Sequence, residues 1–252
     1  MSIAEAWLTN PSIRFRIRAL KARFRDARAE LGVIRRHVRP GDIVCDVGAN
    51  QGSFIFWLSA WVGEGRVVAF EPQPGLAVAL GEVCRAVRLD NVTVEAQAVF
   101  SRSGEQELFM PIGHQPGASL NAHVVQGERF TTLTVPTIAL DDYFKAGDRI
   151  TLLKIDVEGA ELDVLKGAER ILRQHAPLLV FECENRHLAS GRVEDVFAWL
   201  GRFGYQGSFI RHHRLVPLAQ FDAARHQRAA GELFWKSRDY CNNFVFRKVG
   251  LA

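Results

Sequence analysis

The chain has 252 residues, of which 48% are apolar and 24% charged. That composition is globular and excludes wholesale disorder, and no apolar run reaches the roughly 18 residues of a membrane-spanning helix. The net charge of +4 is unevenly spread: residues 1–40 carry ten Arg or Lys against three acids, a local +7, which leaves the body at −3.

Residues 1–40 read as helical, because Ile13, Ile17, Leu20, Phe24, Ala27, Leu31 and Ile34 recur at spacings of three or four with arginines between them. Pro40-Gly41 ends that extension. Behind it, over 41–252, short β-branched runs alternate with helical stretches. Strands are predicted over 43–47, 66–70, 92–99, 151–157, 178–182 and 243–248, and helices over 53–62, 75–87, 160–175 and 193–203. Repeated strand–helix alternation predicts a doubly wound α/β sheet. The first strands are continuously apolar, as they must be when helices cover both faces. The stretch 100–150 breaks the rhythm. Two strand-like pieces, 107–110 and 133–138, flank a segment rich in Gly, His, Pro, Ser and Asn, which reads as an insertion or lid near the site.

The run IVCDVGANQGSF is a buried strand, a glycine loop and a helix start. Gly48 allows a sharp turn close to a ligand, and Gly52 lets the helix begin without a side chain in the way. The spacing is G-x-x-x-G, whereas a pyrophosphate favours G-x-G-x-x-G. Asp46, ending the strand, sits badly beside a phosphate but suits a cation. Glu71 ends the second strand 25 residues later, where α/β nucleotide sites place the carboxylate that reads a ribose. A nucleoside with a ribose, a positive centre and no pyrophosphate describes S-adenosylmethionine. The plainer reading is that Asp46 and Glu71 only cap helices.

The second motif is LLKIDVEGAELDVLKGA. In an extended strand Lys154, Asp156 and Glu158 share a side, and three charges there are costly unless paired. Glu182 in LLVFECE is the expected partner of Lys154. A carboxylate at a strand's C-terminal end, beside a nucleotide crevice, is where α/β enzymes place chemistry.

Taken together, DVGANQGSF, the strand end FEP, NVTVEAQAV, TIALDDYF, KIDVEGAE and PLLVFE resemble the FkbM family of S-adenosylmethionine-dependent methyltransferases, in the family's order from about residue 40 to 185. The resemblance implies a class I methyltransferase fold, Rossmann-like. Its mostly parallel sheet would have seven strands, the last antiparallel at 243–248. It implies a hydroxyl acceptor on a sugar, glycolipid or natural product. By position, Asp46, Gly48, Asn50 and Gly52 should form the cofactor loop, Glu71 should hold the ribose, and Ala98 should lie near the adenine. Asp156 should face the methionine end or the acceptor. Residues 1–40 and 186–242 match the family pattern poorly. No Asn/Asp-Pro-Pro-Tyr run occurs, which argues against methylation of nucleic-acid bases.

An alcohol acceptor gains from a general base. Asp156 is the first candidate, Glu158 the second and the loop histidines His114 and His123 the third, with Lys154 as the charged partner. Ser119 is a candidate substrate contact. No metal is expected, although Asp156, Glu158, Glu182 and Glu184 are the oxygen ligands that Mg²⁺ would take. The basic extension has three readings: a helix packed on the body, a peripheral contact with an anionic membrane, or a nucleic-acid contact. The last is weakest because only Phe15 and Phe24 interleave the charges. The competing functions are a nicotinamide-dependent oxidoreductase and a non-catalytic peripheral membrane protein. Cys45, Cys84, Cys183 and Cys241 form no C-x-x-C pair. With no apolar leader behind a basic start, the sequence reads as cytoplasmic.

Overall fold

The computed structural model describes residues 10–112, 117–125, 129–231 and 233–250. The extension forms α1 (Pro11–Lys21), a single π-helical turn (Ala22–Asp26) and α2 (Arg28–His37). Asn10 starts α1 by accepting the Ser12 N–H at 2.9 Å, and Pro11 follows at the first helical position. The apolar stripe is real but divided: Phe15, Ala19 and Ala22 are buried, as are Leu31 and Ile34, while Ile17, Leu20 and Phe24 stay exposed.

The body alternates as predicted. It runs β1 (Ile43–Val47), α3 (Ile55–Val62), β2 (Arg66–Phe70), α4 (Pro74–Ala86) and β3 (Val92–Glu95). After the insertion's strands come α5 (Leu140–Tyr143), β7 (Ile150–Ile155), α6 (Glu161–Lys166), α7 (Glu169–Gln174), β8 (Leu178–Glu182), α8 (Val193–Gly201), β9 (Tyr205–Arg211), β10 (Arg214–Pro217) and β11 (Asn243–Lys248). The sheet order is β10-β9-β11-β8-β7-β1-β2-β3. β1, β2, β3, β7 and β8 pair in parallel, and β11 runs antiparallel between β8 and β9. This is the expected doubly wound sheet with its antiparallel last strand. β10 adds an eighth strand by folding back on β9. The order reverses between β1 and β7, and a crevice at the carboxyl ends of the strands there is where such sheets bind ligands.

Three expectations needed correction. The predicted strand 92–99 splits, because β2 ends at Phe70 and pairs β3 only as far as Glu95. The chain then turns, and β4 (Ala98–Val99) joins β5 (Gly104–Pro111) and β6 (Phe130–Ile138) in a small second sheet. The predicted helix 160–175 breaks into two, and the Asp141 carboxylate starts the second by accepting the Arg170 and Ile171 N–H groups at 2.6 and 3.1 Å. Finally, β9 and β10 lie where no strand was expected. Among the described residues no helix is long and apolar enough to cross a membrane.

Candidate active site

Three strand ends meet at the reversal. The N–H groups of Gly48 and Ala49 donate to the Phe70 carbonyl at 3.0 and 2.9 Å, and the Asp156 N–H donates to the Val47 carbonyl at 3.0 Å. Gly48 has φ +75°, and a Cβ there would stand 1.9 Å from the Asp156 carbonyl oxygen, so no other residue fits. Beside this junction opens a cleft of about 240 Å³. Gly48, Asn50, Glu71, Ala98, Asp156 and Glu158 all line it, and the insertion closes one wall with Leu108, Ala118, Ser119 and Leu120.

Glu71 is 3% exposed. Its Oε2 accepts the Asn50 N–H at 2.8 Å and its Oε1 the Gln73 N–H at 2.9 Å. Burial pushes its pKa up, against the pull of those two backbone donors. A carboxylate oxygen has two acceptor positions, so each still has one to offer a diol. Asn50 holds φ +47°, a left-handed conformation that asparagine tolerates.

Asp46 and Gly52 do not line the cleft. Asp46 is 1% exposed behind it. Among the described residues its one partner is the Lys154 ammonium, 3.2 Å from Oδ1. Burial pushes the Asp46 carboxyl up, and Lys154 opposes this. Burial also works against the charge on Lys154, but Asp46 and Asp156 outweigh it and hold its pKa above the usual range. Lys154 thus bridges Asp46 and Asp156 (Nζ–Oδ2 3.3 Å), not Glu182 as expected. A Cβ on Gly52 would meet Leu80 at 2.7 Å and Phe15 at 2.8 Å. This glycine therefore admits the extension, and the Arg18 guanidinium fixes it further by donating to the Gln51 carbonyl at 3.0 Å.

Asp156 keeps a half-exposed side chain, 39% accessible, with Oδ2 toward Lys154. Glu158 (φ +45°) is held from behind by His187, whose Nδ1 lies 2.7 Å from Oε2. Burial opposes protonation of His187, but the Glu158 carboxylate prevails and raises its pKa. Glu182 takes the Asn242 amide at 2.7 Å. Burial, and then the charges of Asp156, Glu158 and Glu184, drive its carboxyl well above the usual range. Burial alone would raise Glu184 too, but bonds from Arg186, Tyr240 and Asn242 hold it down at about 2. Ser119 lines the cleft, and its hydroxyl donates to the Glu158 carbonyl at 2.5 Å, which ties the insertion to the end of β7. His123 is exposed, outside the cleft, and His114 lies outside the described residues. Among the described residues no group of three His, Cys, Asp or Glu side chains is arranged to hold a metal.

Among the described residues the cleft's titratable lining consists of carboxyl groups, those of Glu71, Asp156, Glu158 and Glu182, with no Lys or Arg. Such a surface favours a cationic ligand and opposes a pyrophosphate.

Comparison with known proteins agrees. The family model described as the methyltransferase FkbM domain matches residues 46–206. The hexuronic acid methyltransferase AglP of Haloferax volcanii is 31% identical over 167 residues, 64% of this chain and 66% of that protein. The AMB antimetabolite synthetase AmbE of Pseudomonas aeruginosa is 29% identical over 213 residues, 70% of this chain but 10% of that protein. The chain therefore spans about two thirds of the first relative and a small part of the second. Two solved structures share the fold. The FkbM methyltransferase of Methylobacillus flagellatus has a TM-score of 0.53 at 17% identity, over 94% of this chain and 55% of that one. A methyltransferase of Streptococcus mutans in complex with SAH has a TM-score of 0.51 at 11% identity, over 89% and 98%. With the matched domain covering more than half of its length, the chain belongs to the FkbM methyltransferase family.

Proposed function

We propose that the protein transfers the methyl group of S-adenosylmethionine, the donor its family uses, to a hydroxyl of a sugar or related hydroxylated metabolite. The observation that carries this reading is the cleft at the β1/β7 reversal, whose charged lining is carboxyl groups and where Glu71 is set to take a ribose diol. In this reading Gly48 and Asn50 form the floor under the donor and Ala98 abuts its base. Asp46 acts indirectly, by fixing Lys154. The relative AglP, a hexuronic acid methyltransferase, supports a sugar acceptor.

The sulfonium supplies an activated methyl group, so the chain's task is alignment and proton removal. Asp156 takes the hydroxyl proton. It reaches the cleft, and its second oxygen is not engaged by Lys154. Glu158 is worse placed because His187 occupies it. Lys154 orients Asp156 through the 3.3 Å contact to its Oδ2.

Calorimetry with S-adenosylhomocysteine tests the donor site. Glu71→Ala removes two charge-assisted acceptors and is expected to weaken binding about 100-fold. Affinity equal to that of the wild type would refute the ribose role, and a wild type that binds NADH but not S-adenosylhomocysteine would favour the oxidoreductase instead.

A specific surface favours a membrane contact as well. Ile17, Leu20 and Phe24 are 37%, 48% and 65% exposed along one side of the extension. Arg14, Arg16, Lys21, Arg25 and Arg28 stand exposed around them. An apolar ridge among cations suits an anionic bilayer. Sedimentation with phosphatidylglycerol vesicles should carry the protein down, and Leu20→Glu with Phe24→Glu should cut partitioning at least about tenfold. Equal sedimentation with neutral vesicles would count against it.

A further inference from the structure

A second cavity, of about 240 Å³, adjoins the donor cleft, and Asp156 and Glu182 line both. Its outer wall is the extension, through Arg18, Ala27 and Glu30, and its inner wall includes Phe54, Phe181 and Asn243. Resting on the donor assignment above, we propose that this cavity is the acceptor site and that it takes a hydroxyl-rich pyranose ring, whose reacting hydroxyl enters the cleft between Asp156 and Glu182.

Geometry requires two connected spaces. The acceptor oxygen must approach the methyl carbon from the side opposite sulphur. The new C–O bond then forms as the C–S bond breaks, and the hydroxyl proton passes to a carboxylate. The two residues shared by the cavities are carboxyl groups, Asp156 and Glu182, placed where that oxygen crosses. A roomier cavity of about 640 Å³ lies beside the insertion, but neither Asp156 nor Glu182 borders it.

The lining also selects the ligand. Glu30 is 8% exposed and borders the cavity, and the donors that reach its carboxyl are backbone N–H groups of its own turn. Burial raises it to about 6. A buried acceptor so poorly supplied gains from a ligand that donates hydrogen bonds. Sugar hydroxyls donate, and the partly exposed Phe54 ring offers apolar surface to the C–H side of a ring. A phosphate would fare badly. Asp26, Glu30, Asp156 and Glu182 surround the space, Lys154 is already paired twice, and Arg18 is the one further base in the lining. The residues from Arg18 to Glu30 also lie outside the matched region 46–206.

The test is transfer from methyl-tritiated S-adenosylmethionine to the methyl glycosides of hexoses and hexuronic acids, with S-adenosylhomocysteine affinity measured in parallel. Ala27→Trp fills the cavity, and Glu30→Gln keeps its shape but removes the acid. Both should bind S-adenosylhomocysteine within about twofold of the wild type. Transfer by Ala27→Trp should fall at least about tenfold, and the acceptor KM of Glu30→Gln should rise about tenfold while kcat moves less. Undiminished transfer by a folded Ala27→Trp would overturn the proposal, as would an unchanged KM in Glu30→Gln, which decides the matter if the tryptophan variant does not fold. So would a wild type that binds S-adenosylhomocysteine yet methylates none of the glycosides. A wild type that fails to bind S-adenosylhomocysteine would instead sink the donor assignment itself.

Discussion

Replacing Lys154 with methionine is expected to destabilise the protein by about 3–5 kcal/mol, the cost of leaving a buried carboxylate without its partner. Asp46 is 1% exposed, and nothing but Lys154 among the described residues answers its charge. For a chain of this size the loss lowers Tm by about 6–20 °C. Without Lys154, burial drives the Asp46 carboxyl further up. A group whose folded pKa exceeds its unfolded one favours the fold below the unfolded pKa and loses that contribution as pH rises through the folded one. The variant should therefore be relatively more stable in acid, with the deficit growing toward neutral pH. Adding Asp46→Asn should restore most of the loss, because the two positions are coupled. Thermal melts of the two single variants and the double variant at acidic and neutral pH check all of this, and additive losses would show that the pair is not a unit.

Asp156→Asn is expected to reduce kcat by about 10²–10⁴-fold, the usual worth of a general base toward an alcohol. Asparagine keeps the shape and still offers Lys154 an oxygen, but it takes no proton. Affinity for S-adenosylhomocysteine should change by less than about threefold, since Asp156 acts on the acceptor. A variant with normal turnover would move the base to Glu158 or Glu182. A variant that lost donor affinity and kept its rate would make Asp156 a binding residue.

Much of this was legible in the sequence for a physical reason. Apolar strand runs, glycine turns and amphipathic stretches are local signals, and they located β1, β2, β7, β8 and β11. Gly48, Asn50, Glu71 and Ala98, all expected around the cofactor, do line the cleft, whereas Asp46, also at a strand end, is buried behind it and Gly52 packs on the extension. What was not legible depends on which strands are neighbours. Asp46 and Lys154 are register partners across β1 and β7, whereas on the other side Lys154 faces Val180, two residues short of Glu182. Spacing along the chain cannot show that. β9 escaped notice because Gly207 interrupts its apolar pattern. There the Phe246 ring of the neighbouring strand covers the glycine, and a Cβ would lie 2.4 Å from it. His187 gave no local sign of standing behind Glu158. Glu30 did give one, an acid three residues after Ala27 and four before Ile34, on the buried side of an otherwise apolar stripe.

The seating of Phe15 against Gly52, with Arg18 bonded to Gln51, has a thermodynamic corollary. If the loop from Gly48 to Gly52 holds the donor as proposed, ordering of that loop and packing of the N-terminal helices on it favour each other, and coupling of this kind is reciprocal. Donor saturation should protect the amides of 11–37 from deuterium exchange, and trimming those helices should loosen the donor. That outcome would make a segment that the primary structure presents as an appendage, energetically, a component of the pocket.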